Sequence, residues 1–229
     1  MQSILEKCDY FPGNSDRNKI LLFNDETIRS VPVTNEKIGS GDGISVFFRN
    51  SKNCAAVISE KSRFFGSKIE FINSESSIVF IEESLHKIFE LKIYSKYSKG
   101  GGCYIGKNFS CGSCMINFSE NKHVTIGSDC MFSVNTNIWN WDGHTLLDRY
   151  GKCINHAESI AIGNHVWIGM DVAISKGAQI ADNSVIGQRA LVTRAFNEQN
   201  VMIAGVPARI IKTNISWDRT PSAIWEKNL

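Results

Sequence analysis

The sequence predicts an all-β protein built as a parallel solenoid, and three observations lead there. From Ile162 to Val192 an Ile or Val recurs at every sixth residue: Ile162, Ile168, Ile174, Ile180, Ile186 and Val192. A small or β-branched residue precedes each by two: Ile160, Val166, Val172, Ala178, Ser184 and Ala190. A period of six fits neither a helix at about 3.6 nor a plain strand at about 2. It fits coils whose flat faces stack their inward side chains on one another. Second, Gly, Asn or Asp follows the inward residue, as in Ile162-Gly163-Asn164 and Ile180-Ala181-Asp182. Such residues tolerate the positive φ that a sharp corner demands. Third, residues 36–100 break into IGSGDGISVFF, CAAVIS, KIEFIN, SSIVFIEE and KIFELKIY, rich in Ile, Val and Phe and separated by Asn, Ser, Gly and Lys. That is the composition of short strands joined by turns.

Taken in order, residues 1–35 read as an N-terminal strand or two capping the first coil. They hold an apolar patch from Ile20 to Phe23 and turn formers at Pro12, Gly13 and Asn14. The solenoid then runs over 36–204, with irregular early coils where the six-residue phase is weak. The phase becomes legible at Ile105-Gly106 and Cys111-Gly112, slips, and restarts at Ile126-Gly127, Phe132 and Ile138. It lapses for about twenty residues and returns at Ile162 in the same register, so a loop over 139–159 is extruded from one corner. Residues 205–229 contain Pro207 and Pro221, lose the repeat, and read as a tail folding back on the coils with a short helix around Ser222 to Lys227.

Composition narrows the function. A net charge of +2 in 229 residues gives no nucleic-acid footprint. There is no run of 18 apolar residues for an integral membrane segment. The start MQSILEKCDYFPGNSDRNK lacks the basic segment and apolar core of a signal peptide. Seven cysteines, an odd number in a chain this long, fit a reduced cytoplasmic protein with buried thiols. Cys111-Gly112-Ser113-Cys114 is a single tight pair where a structural zinc site needs two, and Cys111 and Cys130 fall on inward phase positions. No metal is expected.

Chemistry concentrates in the extruded loop, since binding and catalytic residues favour loops on rigid scaffolds. It carries Trp139, Trp141, Asp142, His144, Asp148, His156 and Glu158. An imidazole, with an unperturbed pKa of about 6.5, is the natural general base at neutral pH. Trp139 and Trp141 either stack on a sugar ring or anchor the loop to the prism. Asn137 and Arg149 are candidate contacts to an acceptor's hydroxyl or carboxylate. Trp167 is outward by phase, because Val166 and Ile168 form the inward pair.

Asp142-Gly143-His144, the segment IAIGNHVWIGMDVAISKGAQIADNSVIG over 160–187 and IAGVPARIIK over 203–212 resemble the hexapeptide-repeat, left-handed β-helix acetyltransferases. INHAESIAIGNHVWIG and the closing NISWDR are more similar to the O-acetyltransferases of bacterial capsular polysaccharides, sialic-acid-containing ones included, than to the galactoside or maltose enzymes. The resemblance implies a left-handed triangular prism of about 18 residues per coil, a homotrimer with each site between neighbouring subunits, and acetyl-CoA as co-substrate. It implies O-acetylation of a carbohydrate hydroxyl, in a capsular or other cell-surface polysaccharide. N-acetylation of an amino sugar nucleotide or acetylation of an antibiotic is the alternative within the fold, and a non-catalytic scaffold the alternative outside it. His144 matches the family's catalytic base, which would deprotonate the acceptor for direct attack on acetyl-CoA. Its orienting partner is Asp142, with Asp148, Glu158 or a backbone carbonyl as alternatives. Trp167 matches the Trp beside the CoA sulfur, and packing in the trimer interface is its other role. Gly169, Ala173 and Gly187 would let the pantetheine arm approach the backbone; Thr193 and Arg194 match CoA contacts; Arg209 and Lys212 would meet the nucleotide phosphates. Two departures stand against this pattern: Gln188-Arg189 replaces the usual small pair, and Thr145 stands where many relatives have Pro. His123, His144 and His165 lack the five-residue ligand pair of the gamma-type carbonic anhydrases that share the fold.

Overall fold

The chain winds through three faces in turn, as in Ile160–Ile162, Trp167–Ile168 and Ala173–Ser175, before returning to the first face at Gln179–Ile180. A computed structural model describes residues 17–25, 27–33, 37–38 and 40–225. The turn formers at Pro12, Gly13 and Asn14, and the end of the expected helix at Glu226 and Lys227, lie outside these residues. Each strand hydrogen-bonds to the strand one coil away, giving sheets of nine, seven and nine strands among the described residues. Pairing is parallel except at the ends. Lys19–Phe23 pairs antiparallel with Ile28–Val31 and parallel with Ala55–Ser59, so the N-terminal strand continues the first face. At the other end Met202–Gly205 and Ala208–Lys212 form an antiparallel hairpin on the third face that spans the 204/205 boundary expected between coils and tail.

Three columns of side chains fill the interior. On the first face Ile81, Ile105, Ile126, Ile162, Ile180 and Phe196 stack in register. On the second the column is Ile69, Ile93, Ile116, Ile138, Ile174 and Val192. On the third it is Ile88, Cys111, Phe132, Ile168, Ile186 and Ile203. All are buried. The pairing of Ile126 with Ile162 crosses the extruded loop without a slip. Each full Ile or Val burial contributes about 1.5–3 kcal/mol, so the columns are the main source of cohesion.

The expected 18 residues per coil holds only late in the chain. Ile174 to Val192 spans 18 residues, but Ile69 to Ile93 spans 24 and Ile93 to Ile116 spans 23. The surplus lies largely on the second face, where Ile44–Arg49, Ser67–Ile72, Leu91–Ser98 and Cys114–Glu120 are strands of 6, 6, 8 and 7 residues, against 3 for Ala173–Ser175. A wider bore needs larger fillers, and Phe64, Phe71, Phe109, Phe118 and Phe132 are buried here where the last coils use mostly Ile, Val and Ala, with Phe196 at the end of the first face. Longer strands also stretch the six-residue spacing, which is why the early phase is weak.

Cys111 and Cys130 are free and buried, and burial pushes both thiols up to about 12, so they act as small apolar fillers. Among the described residues no group of three or more His, Cys, Asp or Glu side chains is placed to hold a metal, and no helix is long and apolar enough to cross a membrane. The tail contains one helical turn, Ser222–Trp225.

Coil stacking is tightest at the corners. A Cβ on Gly127 would lie 2.5 Å from the Gly163 carbonyl oxygen, and one on Gly163 would lie 2.8 Å from the Asp182 backbone nitrogen. Gly127→Ala should therefore push neighbouring coils apart at a backbone contact that cannot yield. The expected cost of about 1–3 kcal/mol should lower the melting temperature by several degrees in thermal denaturation; an unchanged Tm would show that the corner relaxes.

Candidate active site

The loop is built on a closed root. Asn140 is buried, and its Oδ1 accepts the Ser119 N–H at 2.9 Å. The Asn140 carbonyl accepts the Glu158 N–H at 2.9 Å, and Ala157 N–H donates to Glu120 Oε1 at 3.0 Å. Trp139 thus belongs to the strand Thr136–Trp139, and the free arm begins after Asn140. Inside the arm, Leu147 bridges Cys153, and Asp148 Oδ1 accepts the N–H groups of Tyr150 and Lys152 at 2.8 and 3.0 Å. Asp148 therefore shapes the loop's own turn. Arg149 sits beside this turn with its guanidinium 4.7 Å from the Tyr150 ring centroid.

His144 is exposed on this arm and held through its backbone. Asn155 Nδ2 donates to the His144 carbonyl and to Asp142 Oδ2, both at 2.8 Å, and Asn155 Oδ1 accepts the Leu146 N–H at 2.7 Å. Lys176, from the corner one coil later, donates to Asp142 Oδ2 at 2.5 Å and to the Asn155 carbonyl at 3.3 Å. The Lys176 hydrogen bond holds the Asp142 carboxyl below the ordinary carboxylate range, against a smaller opposing effect of partial burial. Asp142 Oδ2 thus meets both Asn155 and Lys176, and the same Asn155 amide reaches the His144 backbone carbonyl.

On the second face, at the foot of the loop, Trp139 and Trp141 stack at 6.5 Å and 19°, and Trp141 meets the edge of Tyr97 at 6.2 Å. Asn137 lies one row away and donates to the Asn135 carbonyl at 3.2 Å. On the third face Trp167 is 38% exposed between buried Val166 and Ile168. The C-terminal tail crosses this face. Trp217 Nε1 donates to the His165 carbonyl at 2.8 Å, its ring stacks on His165 at 4.2 Å, and it tilts against Trp167 at 6.1 Å. Arg219 pins the tail by donating to Ser110 Oγ at 2.7 Å and to the carbonyls of Asn108, Asp129 and Cys130. A groove of about 720 Å³ results, lined by Met131, Trp167, Trp217, Pro221 and Trp225 among others.

The candidate cofactor residues are dispersed in one chain. Gly169 and Gly187 lie at the corner beside Trp167, and both are required by coil stacking: an added Cβ would meet Gln188 N and Ala204 Cβ, each at 2.8 Å. Ala173 faces out on the second face between Asn137 and Leu191. Thr193 and Arg194 are exposed at the corner between the second and first faces, which is also the corner of the loop. Arg209 and Lys212 are exposed on the terminal hairpin. His144 and Trp167 project from different sides of the prism, one from the corner joining the second and first faces and the other from the third face.

Sequence reasoning missed Lys176, Asn155, Trp217 and Arg219. Lys176 carried a usable signal, since it follows inward Ile174 by two and so occupies the loop's corner in the next coil.

Comparison with known proteins fits this geometry. Residues 159–194 match the family described as bacterial transferase hexapeptide (six repeats). The chain is 35% identical over 181 residues to the polysialic acid O-acetyltransferase of Neisseria meningitidis, covering 78% of this chain and 77% of that protein. It is 36% identical over 140 residues to the polysialic acid O-acetyltransferase of Escherichia coli O1:K1 / APEC, covering 61% of this chain but spanning only 45% of that protein's length. The crystal structure of the polySia-specific acetyltransferase NeuO superposes with a TM-score of 0.69 at 28% identity, covering 82% of this chain and 92% of that one. That of the polysialic acid O-acetyltransferase OatWY gives 0.60 at 29%, covering 79% and 95%. Fold and repeat define a left-handed β-helix of the hexapeptide class. The chain belongs to the hexapeptide-repeat acetyltransferases, in the branch of the carbohydrate O-acetyltransferases.

The tether at the loop root can be broken selectively. Lys176→Met removes the cation from Asp142 and should speed tryptic cleavage at Arg149 and Lys152 several-fold at unchanged Tm. Because the folded Asp142 carboxyl titrates below its ordinary value of 3.8, its contribution is complete above that value and lost as pH falls through the lower, folded one. Proteolytic protection of the wild-type arm should thus be as strong at pH 5 as at pH 7. Equal cleavage rates in wild type and variant would remove Lys176 from this role.

Proposed function

We propose that this protein is an acetyl-CoA-dependent O-acetyltransferase acting on a hydroxyl of a cell-surface polysaccharide, with His144 as general base. The observation that carries this reading is the similarity along most of the chain to polysialic acid O-acetyltransferases, joined to an exposed imidazole on an arm held by two hydrogen bonds from one asparagine. The cytoplasm suits its free, buried cysteines.

Chemistry follows from the groups present. Neutral His144 takes the proton of the acceptor hydroxyl as its oxygen attacks the thioester carbonyl. The C–S bond then breaks, the acetyl group leaves on the acceptor oxygen, and the thiolate receives the proton from His144. Trp167 offers an indole N–H to the departing sulfur from a face otherwise covered by the tail. Because His144 and Trp167 leave the prism on different sides, the working site forms between copies in a homotrimer, His144 from one chain and Trp167 from the next. Gly169, Ala173, Gly187, Thr193 and Arg194 would line the thiol carrier's path, with Arg209 and Lys212 near its phosphates.

Release of free thiol from acetyl-CoA across a panel of sugars and polysaccharides tests the reading. Turnover is expected with hydroxyl acceptors; release restricted to amino groups, or no release and no CoA binding, would contradict it. His144→Ala should keep fold and CoA affinity while lowering transfer at least about 100-fold, and near-normal rates would exclude His144. Trp167→Ala should slow transfer at unchanged acceptor KM; unchanged kcat would exclude the thiolate role.

A further inference from the structure

The widened second face carries charge that neither the coil core nor the catalytic arm uses. Its outward rows run in register: Lys68, Lys92, Met115 and Asn137 in one, and Glu70, Tyr94, Asn117 and Trp139 in the next. Lys96 follows Tyr94 on the same side, with its ammonium 5.2 Å from the Tyr94 ring centroid and 6.0 Å from that of Trp139. Lys68 Nζ lies 4.9 Å from the same ring centroid. The carboxylate in these rows, Glu70, is already held by Arg49 and Lys68. Glu90 borders the face beside Lys92. Cations therefore exceed carboxylates here, and they alternate with aromatic rings.

Asn117 adds an independent observation. Its neighbours Ile116 and Phe118 point into the core, so it points outward between Tyr94 and Trp139, yet it is only 1% exposed. Neither its Nδ2 nor its Oδ1 has a hydrogen-bond partner, and Asn140 Nδ2 and Trp141 Nε1 nearby are also unpaired. A buried amide with both ends unmet costs about 1–3 kcal/mol.

We propose that this surface is a binding track for a carboxylate-bearing polysaccharide, with Lys92 and Lys96 meeting its charges and Tyr94 and Trp139 its sugar faces. The proposal rests on the functional reading above and names its acceptor class. From the strand of Lys68 to the strand of Trp139 is three strand spacings, on the order of 15 Å, which is longer than one sugar. The track ends at Trp139, where the strand hands over to the catalytic arm. A polymer lying along it has one unit at the arm while its neighbours hold it in place, and charge attraction of this kind weakens as salt rises.

The full chain is tested with acetyl-CoA and two acceptors, polysialic acid and its carboxyl-reduced, uncharged form. Lys92→Ala/Lys96→Ala should raise KM for polysialic acid at least tenfold, with kcat, KM for acetyl-CoA and sedimentation mass unchanged, and should flatten the rise of KM with sodium chloride. For the reduced polymer the two proteins should have equal KM. An unaltered KM for polysialic acid in the lysine variant, or a changed mass marking the face as a contact between copies, would overturn the proposal. If wild type transfers acetyl to no carbohydrate, the functional reading fails separately. Quenching of tryptophan fluorescence by polysialic acid, compared between wild type and the lysine variant, still decides the track.

Discussion

In-register stacking of one inward side chain per face is the interaction on which everything else depends. Each Ile of the column Ile116, Ile138, Ile174 lies over its predecessor, and the backbone between them is paired to the coils on either side. A solenoid of this kind has little freedom to bend its faces, so a residue's position is fixed by its phase within the coil. That rigidity lets two features be added without cost to the core: an arm inserted at one corner between Ile138 and Ile160, and a tail laid across the opposite face. Register across the arm is preserved, since Ile126 still pairs with Ile162.

Both additions are held by single side chains with several partners. Asn155 and Lys176 converge on Asp142, and through Asn155 on the backbone of His144. Arg219 directs its N–H groups to one hydroxyl and three carbonyls of earlier coils, and Trp217 closes over His165 beside Trp167. Charge-assisted hydrogen bonds are the stronger kind, and here they secure the segments that the columns do not reach. The arm and the tail emerge on different sides, which is the physical reason for assigning a complete site to two copies.

Much of the fold is legible in the sequence because late coils obey a strict spacing. Ile162 through Val192 mark their own inward direction, and the return of that phase after the arm marks the insertion. Early coils are harder to read, since strands such as Leu91–Ser98 place several alternating residues on one face and stretch the period. His144 and Trp167 can be singled out, one by its loop and the other by its outward phase. Sequence proximity puts Asp142 next to His144, but its partner is Lys176, 34 residues on, brought there by one turn of the coil. Asn117 looks like an ordinary strand residue between Ile116 and Phe118. Only pairing with Tyr94 and Trp139 shows that it sits between two aromatic residues on the outer side of the face. Tail contacts have no periodic signal at all, although the NISWDR segment stands out as a motif.

A site shared between chains makes one demand that a site within a chain does not. His144→Ala and Trp167→Ala chains, each impaired alone, should gain activity when unfolded together and refolded as mixed oligomers. A neighbouring pair then unites an intact imidazole with an intact indole in about a quarter of the interfaces at equal mixing. Recovery near that fraction of wild-type transfer is the expected result. No recovery, in samples whose mixed composition is verified by native mass measurement, would contradict a site built from His144 of one chain and Trp167 of the next.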